Sequence, residues 1–442
     1  MRPSRFPRLL AAVLAAALVL AACTSSSDDT TTTSTVGAPT TTLANGGPTT
    51  TAEPTDSTTT TLPDLSGLDL PEEVIAQLEG LMVKAQEIRG LPFLETPTIT
   101  VVGEAEFRSR VLAEVAESLT DLPADQALYE LLGLLSPDAD LESMLQDLYG
   151  EQVAGFYDGD AREVVVPSQT DGLSLVQQGT MIHELTHALT DQHFGFNERR
   201  NQMAEEDRWD EATAFLALME GDATLAELHW LQTLGQRDLG LFLSESLQAD
   251  ISVLESMPLF IRDSLMFPYE TGLAFVQSLY NRGGWEAVDD AYRTMPDLPP
   301  STEQVITPSD LGRDLPVEIP VQDVDVPGYE LIVTSTWGEL GFQLMFDQVL
   351  GEGSAVEASD GWGGDYYHQW YDGRGNAAFV LVVVGDTPQD TQELRQALLD
   401  YQSRAVADEY YVWVDEQVGY LHFVAAHDPT IGESLKSAYG LD

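Results

Sequence analysis

Residues 181–191 read Met-Ile-His-Glu-Leu-Thr-His-Ala-Leu-Thr-Asp and contain the pattern His-Glu-x-x-His, from His183 to His187. Apolar residues on both sides of the pattern predict a buried helix over about 174–193. On a helix, side chains four residues apart lie on one face, about one turn from each other. Both imidazoles can therefore bind a single metal ion, at the Zn–N distance of about 2.0–2.1 Å that zinc sites have.

The acidic residue inside this pattern is a candidate general base. Glu184 follows His183 by one residue, which on a helix is a rotation of about 100°. Its carboxylate is therefore expected beside the metal ion, where it can take a proton from a water molecule on the metal. Because zinc lowers the pKa of such a water to about 7, this arrangement is typical of hydrolases that work at neutral pH. The simpler alternative is two helix-surface histidines beside an acid.

A second predicted helix, over about 207–234, offers a third ligand. A catalytic zinc site has three protein ligands and one open position. Glu220 lies in the run 214–224, and the residues on its helical face are mostly small or apolar. A lone carboxylate there costs free energy unless it is paired or bound to a metal. We therefore expect Glu220 to be the third ligand, with Glu227, one face repeat later, as the rival and an ordinary surface glutamate as the simpler alternative.

The remaining pattern predicts an α+β protein. Helical periods dominate from about 70 to 294, interrupted by a strand over 98–102 and by two short strands near 152–157 and 163–166. The latter two form a β-hairpin before the zinc helix. From about 330, helices and strands alternate. We expect a helix-rich metallohydrolase domain over 67–328 and a C-terminal α+β region over 329–442.

The metal motifs also carry a family resemblance. The segment from His183 to Asp191 resembles the zinc helix of thermolysin-type peptidases, and a helix-borne glutamate after it completes the gluzincin pattern. Glu220-Gly221-Asp222-Ala223 is similar to secreted or lipid-anchored bacterial and archaeal zinc peptidases, as are segments scattered over about 150–370. The resemblance implies a zincin-like fold and peptidase activity, whereas spacing alone indicates a metal hydrolase. Two features depart from it: thermolysin's Asn-Glu-x-x-Ser-Asp motif is absent, and Tyr366 stands where related chains often have arginine.

The N-terminus has the features of an export signal. Arg2, Arg5 and Arg8 precede an apolar run over 9–22, which is about 14 residues long and too short to span a bilayer. The run ends Leu-Ala-Ala-Cys, which resembles the lipobox of bacterial lipoproteins. We expect residues 1–22 to be a lipoprotein signal peptide and Cys23 to carry the lipid. The alternative is an ordinary signal peptide with a chance cysteine.

Composition indicates a disordered segment after Cys23 and excludes some classes of binding partner. Residues 23–66 are rich in Thr, Ser and Pro, and they predict a disordered tether because they cannot bury enough apolar surface. The formal net charge is −53, with 73 acidic and 20 basic residues. This imbalance argues against nucleic acid as a partner, since nucleic-acid binding needs a basic surface. With a single cysteine, the chain forms no intrachain disulfide.

Two further acids and one strand are candidates to support the metal site. Asp191, four residues after His187, is a candidate to orient that imidazole, because ligating histidines usually donate their second N–H to a carboxylate or carbonyl. Asp222 is a similar candidate. Each has the alternative of a surface acid. Val164–Val166, as an edge strand beside the cleft, would pair with a substrate backbone.

Hydrolysis also needs a donor to the developing oxyanion. Tyr366 and His368, together with Tyr367, follow a glycine-rich turn and are candidate catalytic residues, and Tyr269 is another option. Buried aromatic packing is the alternative for each.

The leading hypothesis is an extracytoplasmic zinc metallopeptidase, lipid-anchored to the cell membrane, that acts on peptide or protein substrates. Zn2+ would be bound by His183, His187 and Glu220, with Glu184 as base. A second hypothesis is a non-catalytic surface lipoprotein with a structural zinc site that binds a partner. A third is a metal hydrolase that acts on a non-peptide.

Overall fold

The structure is a computed structural model that describes residues 65–441 apart from 66, 69, 104, 112–121, 152–154, 169–171, 250, 296–299 and 418. The predicted signal peptide, lipidated Cys23 and nearly all of the predicted tether lie outside the described residues. None of the helices described combines the length and the apolar character needed to cross a bilayer.

Helices and strands mix along the described chain, so the broad α+β prediction is confirmed. The helices are α1 (Glu72–Arg89), α2 (Leu122–Leu132), α3 (Leu141–Glu151), α4 (Leu175–Phe194), α5 (Phe196–Glu205), α6 (Trp209–Thr233), α7 (Gln236–Ser246), α8 (Ser252–Glu255), α9 (Leu259–Gly283), α10 (Trp285–Thr294), α11 (Thr302–Ile306), α12 (Gly338–Leu350), α13 (Glu352–Ser359), α14 (Pro388–Arg404) and α15 (Pro429–Ala438). The strands are β1 (Thr98–Val102), β2 (Phe156–Asp158), β3 (Glu163–Pro167), β4 (Glu330–Ser335), β5 (Trp362–Tyr371), β6 (Ala377–Gly385), β7 (Tyr411–Gln417) and β8 (Tyr420–Ala426).

The predicted hairpin before α4 belongs to a three-stranded sheet of order β1-β3-β2. Strand β3 pairs in parallel with β1 and antiparallel with β2, so both of its edges are occupied. The expectation that Val164–Val166 is a free edge strand is therefore wrong. The edge strands of this sheet are β1 and β2, and the Tyr157 amide of β2 donates to Glu184 of α4.

The C-terminal region contains a five-stranded antiparallel sheet of order β4-β5-β6-β8-β7. Its central strand β6 is buried along almost its whole length, because helices and the rest of the chain cover both faces. One large hydrophobic cluster contains side chains from the helices of the N-terminal half, such as Phe215, and from the sheet, such as Phe379. The two regions thus share a core.

The central helix α4 has well-defined ends. Ser174 caps its N-terminus, with a capping box in which its hydroxyl accepts from the Gln177 amide and the Gln177 side chain accepts from the Ser174 amide. Gly195 ends the helix in the left-handed conformation that glycine adopts without steric cost. Every residue from 179 to 191 is buried. The pattern of apolar flanks therefore predicted this helix and its burial correctly.

Helix α6 packs against α4 on one side and against α9 on another. A Cβ atom added at Gly221 of α6 would lie 2.1 Å from the carbonyl oxygen of Gly272 in α9. The two helices thus meet backbone to backbone beside Glu220. Helix α9 runs unbroken through Pro268, and its packing along α6 offsets the backbone hydrogen bond that proline cannot make.

Candidate metal centre

His183, His187 and Glu220 converge in the buried contact between α4 and α6. The Nε2 atom of His183 lies 3.1 Å from Oε2 of Glu220, and Nε2 of His187 lies 3.4 Å from the same oxygen. Three ligands at about 2.05 Å from a tetrahedral zinc ion would be separated by about 3.3 Å. The two histidine-to-glutamate distances match this separation, all three ligand atoms lie within 4.8 Å of one another, and the group could therefore hold a metal ion.

The chemistry of the three side chains also fits a cation. All three residues are at most 3% exposed. Within the described chain, Oε1 of Glu220 and Nε2 of His187 are buried without a hydrogen-bond partner, which is costly for polar atoms inside a protein. Burial alone would raise the pKa of Glu220, but His187 and then His183 lower it to about 2. The carboxylate is thus ionised and available as a ligand.

The alternative third ligand, Glu227, occupies a different place in the site. Its Oε2 atom lies 3.9 Å from Nδ1 of His183, the nitrogen that faces away from Glu220. Burial, and then the charge of Glu184, raises the pKa of Glu227 to about 8. Glu227 therefore lies behind the His183 ring, at a distance too long for a hydrogen bond.

Glu184 lies beside the triad, as its position on the helix predicts. One carboxylate oxygen, Oε2, accepts a 2.8 Å hydrogen bond from the backbone N–H of Tyr157 on β2. The other oxygen, Oε1, is buried without a hydrogen-bond partner in the described chain. Burial raises the pKa of Glu184 to about 8, against the lowering effect of His187 and of the Tyr157 amide. A carboxyl group in this range exchanges protons readily near neutral pH.

Asp191 does not contact His187. Its carboxylate instead accepts hydrogen bonds from the Tyr157 hydroxyl at 2.8 Å and from the Asn197 amide at 3.1 Å. The interpretation that Asp191 orients His187 is therefore not supported. Asp191 fixes Tyr157 to α4, and thereby holds the hairpin whose backbone contacts Glu184. The hairpin itself was predicted from sequence, but the function of Tyr157 was not.

Asp222 also faces away from the histidines. Its carboxylate accepts hydrogen bonds from Nε of Arg89 at 2.8 and 3.1 Å, and Nη2 of Arg89 donates to Asp289 at 2.5 Å. The guanidinium is fully buried and lies 4.6 Å from the ring centroid of Trp285. This network joins α1 and α10 to α6 two residues after Glu220. The network therefore fixes the position of α6, which carries Glu220. Asp222 was predicted instead to orient a ligating histidine.

A cleft reaches the metal centre on the side of His187 and Glu220. The hairpin turn forms one wall and α5 forms another, where Arg200 lies. Arg200 is 4% exposed and lines the same cleft as His187 and Glu220, where its cation could stabilise negative charge on a bound molecule. The sequence offers no local motif that singles out this arginine.

The candidate oxyanion donors of the C-terminal region lie elsewhere. The rings of Tyr366 and His368 contact each other, and His368 is hydrogen-bonded to Thr334 and to the carbonyl oxygen of Gln322. Tyr366 belongs to a hydrophobic cluster of the C-terminal region. The structure thus does not bring Tyr366 or His368 to the triad, and a catalytic function for them is not supported.

The other two aromatic candidates are buried by packing. Tyr367 packs against Trp337 and Phe379 in the main core. Tyr269 is the only candidate of the four with a described contact to the triad, since its ring stacks on His183 with 6.3 Å between centroids.

Comparison with known proteins matches only the C-terminal part. Residues 329–428 match a family described as a domain of unknown function, DUF8575. This segment includes all five strands of the C-terminal sheet and excludes the triad. No curated protein matches the chain, and no solved structure matches it.

Proposed function

We propose that this protein is a zinc-dependent metallopeptidase of the gluzincin type, exported and held at the cell membrane by a lipid on Cys23. The observation that carries the proposal is the triad with Glu184 beside it. Both histidine Nε2 atoms lie 3.1–3.4 Å from one Glu220 oxygen, and Glu184, on the same helical turn as the histidines, is buried close enough for the charges of His187 and Glu220 to act on it. The peptide as substrate and the zincin-like fold follow from the motif resemblance.

In this proposal His183, His187 and Glu220 hold the ion. Zinc, when bound, supplies a Lewis acid that polarises the scissile carbonyl and acidifies a water molecule. Glu184 accepts the proton of the attacking water and then donates it to the leaving amine. Its carboxylate accepts one hydrogen bond, from the Tyr157 amide, and its second oxygen has no hydrogen-bond partner in the described chain, which leaves that oxygen available for proton transfer. Arg200 is the candidate for binding negative charge in the cleft.

The decisive variant is Glu184→Gln, which keeps the size of the side chain and removes its basicity. We expect zinc content to stay at one ion per chain and chelator-sensitive cleavage of a peptide library to fall by about 10²–10⁴-fold. Glu198→Gln, an exposed change of the same kind on α5, should leave both unchanged. Undiminished cleavage by Glu184→Gln would rule out the mechanism.

The membrane location is tested separately. Cys23→Ser should abolish incorporation of a labelled fatty acid and should release the protein from the membrane fraction. Membrane retention without the cysteine would contradict the lipid anchor, and it would leave the peptidase proposal untouched.

Burial of the triad favours a non-catalytic alternative, in which the zinc ion only stabilises the fold. Structural zinc has four protein ligands, whereas catalytic zinc keeps a position for water. X-ray absorption spectroscopy of the zinc-loaded protein distinguishes the two. A fourth protein ligand, with no peptide cleavage, would favour the structural zinc site.

A further inference from the structure

A second cluster of carboxylates lies at the contact between the two regions of the chain. Glu303 belongs to α11, Asp314 to the segment that follows it, and Asp386 to the turn between β6 and α14. One oxygen from each carboxylate can be chosen so that all three lie within 4.8 Å of one another. Two oxygens bound to one calcium ion at about 2.4 Å are at most about 4.8 Å apart. The cluster therefore has the dimensions of a shared ion site.

Glu303 is the buried member of this cluster. It is 6% exposed, and no hydrogen-bond donor or ion-pair partner in the described chain contacts its carboxylate. Asp314 and Asp386 are more accessible to solvent. An ionised carboxylate that is buried and unpaired is strongly unfavourable, because the protein interior replaces none of its lost hydration. One of its oxygens lies within 4.8 Å of an oxygen of each of two further carboxylates, so the charge must be removed by a proton or balanced by a bound cation.

The surroundings increase the negative charge. Burial, followed by the charges of Glu339, Asp314 and Asp386, raises the pKa of Glu303 to about 9. Burial and neighbouring acids likewise raise the pKa of Asp386 to about 6. Each of the groups that act on these two residues is another carboxylate.

We propose that Glu303, Asp314 and Asp386 form a calcium site that joins the N-terminal helical region to the C-terminal sheet. The ligands are oxygen atoms only, which hard cations prefer and which distinguishes this cluster from the histidine-containing triad. Calcium suits it better than magnesium, because the ligands come from three separate segments without octahedral restraint. Three carboxylates leave three to five positions for water and backbone carbonyls.

The same segment is linked to the metal centre. Thr302, the residue before Glu303, donates to the carboxylate of Asp210 from its amide at 3.1 Å and from its hydroxyl at 2.6 Å. Asp210 lies in the first turn of α6, the helix that carries Glu220. An ion at Glu303 would therefore stabilise the N-terminal end of α6 as well as the contact between the regions.

The test uses the zinc-loaded full-length protein, freed of calcium, with zinc content measured in every sample. Equilibrium dialysis should show one calcium ion per chain, and calcium should raise the Tm more than magnesium does. Glu303→Gln and Asp386→Asn should each weaken calcium binding at least tenfold without loss of zinc. Asp238→Asn, an exposed change on α7, should behave as the unmodified protein.

Glu303→Gln has a second expected signature. Without calcium its Tm should equal or exceed that of the unmodified protein, since the variant removes a buried like-charge contact. With calcium its Tm should not rise. If the buried variant misfolds, Asp386→Asn at the accessible position provides the same comparison.

The proposal is overturned by unchanged calcium affinity in Asp386→Asn, by equal responses to magnesium and calcium, or by no binding at about 5 mM calcium, above the range of extracellular modules. None of these results bears on the zinc centre, because zinc content and peptide cleavage are separate readouts.

Discussion

Replacing Arg89 by methionine should destabilise the protein strongly, because it removes the cation from a closed pair of carboxylates. Arg89 and Asp222 have no exposed side-chain surface, and Asp289 completes the network. Methionine fills a similar volume but leaves both carboxylates without their guanidinium. Breaking a buried ion pair on one side costs about 3–5 kcal/mol. With an unfolding entropy of about 2.1 cal/mol/K per residue over roughly 370 folded residues, each kcal/mol lowers the Tm by roughly 1.3 °C, so the expected decrease is roughly 4–6 °C.

The double variant Arg89→Met, Asp222→Asn measures how much of the lost stability comes from the unpaired charge of Asp222. Asparagine carries no charge, so the buried anion of α6 disappears together with its partner. We expect the double variant to be more stable than Arg89→Met alone, by about 1–3 kcal/mol. The assay is guanidinium unfolding of the two single variants and the double variant, combined with zinc analysis.

Two results would refute this reasoning. One is a loss below about 1 kcal/mol in Arg89→Met, which is the range of an exposed ion pair. The other is a double variant whose loss equals the sum of the two single losses, since groups that act on each other are not additive.

Three further predictions test other contacts. Gly221→Ala should cost several kcal/mol in guanidinium unfolding and lower zinc occupancy, because its Cβ would overlap the Gly272 carbonyl, whereas Gly240→Ala on α7, where the added Cβ meets nothing, should be neutral or stabilising by up to about 1 kcal/mol. Glu227→Gln should weaken zinc binding about 10–100-fold in competition with a chelating dye, and unchanged affinity would show that this carboxylate does not support the ligands. Burial raises the pKa of Glu339 from 4.5 to about 8. Since the folded state keeps this proton longer than the unfolded state, calcium-free stability should fall as pH rises from about 5 to 8, and Glu339→Gln should flatten that fall by a few kcal/mol in urea unfolding. An unchanged slope would contradict this assignment.

The parts of the site that sequence predicts are those fixed by local geometry. Helical spacing alone places His183, Glu184 and His187 around one position. Glu220 was predicted from the chemistry of an acid on an apolar helical face, without any knowledge of how α4 and α6 pack. The hairpin before α4 followed from two short strands and a turn between them.

The site predictions that were wrong concern contacts between segments that are distant in the sequence. Asp222 pairs with Arg89, which is 133 residues away in the chain, and no local pattern encodes that contact. Tyr366 and His368 follow a glycine-rich turn of the kind that can present catalytic groups, but the strand that contains them packs in the C-terminal region. The function of Tyr157 depends on its backbone amide, whose direction no side-chain pattern reveals.

The hydrogen bond between the Tyr157 amide and Glu184 links the proton affinity of Glu184 to the position of the hairpin. A donor to a carboxylate lowers its proton affinity, so the strength of this base depends on where the hairpin stands. A molecule that entered the cleft and displaced β2 outward by about 1 Å would break that bond and make Glu184 more basic. Proton uptake and occupancy of the cleft would then be coupled through a single main-chain N–H.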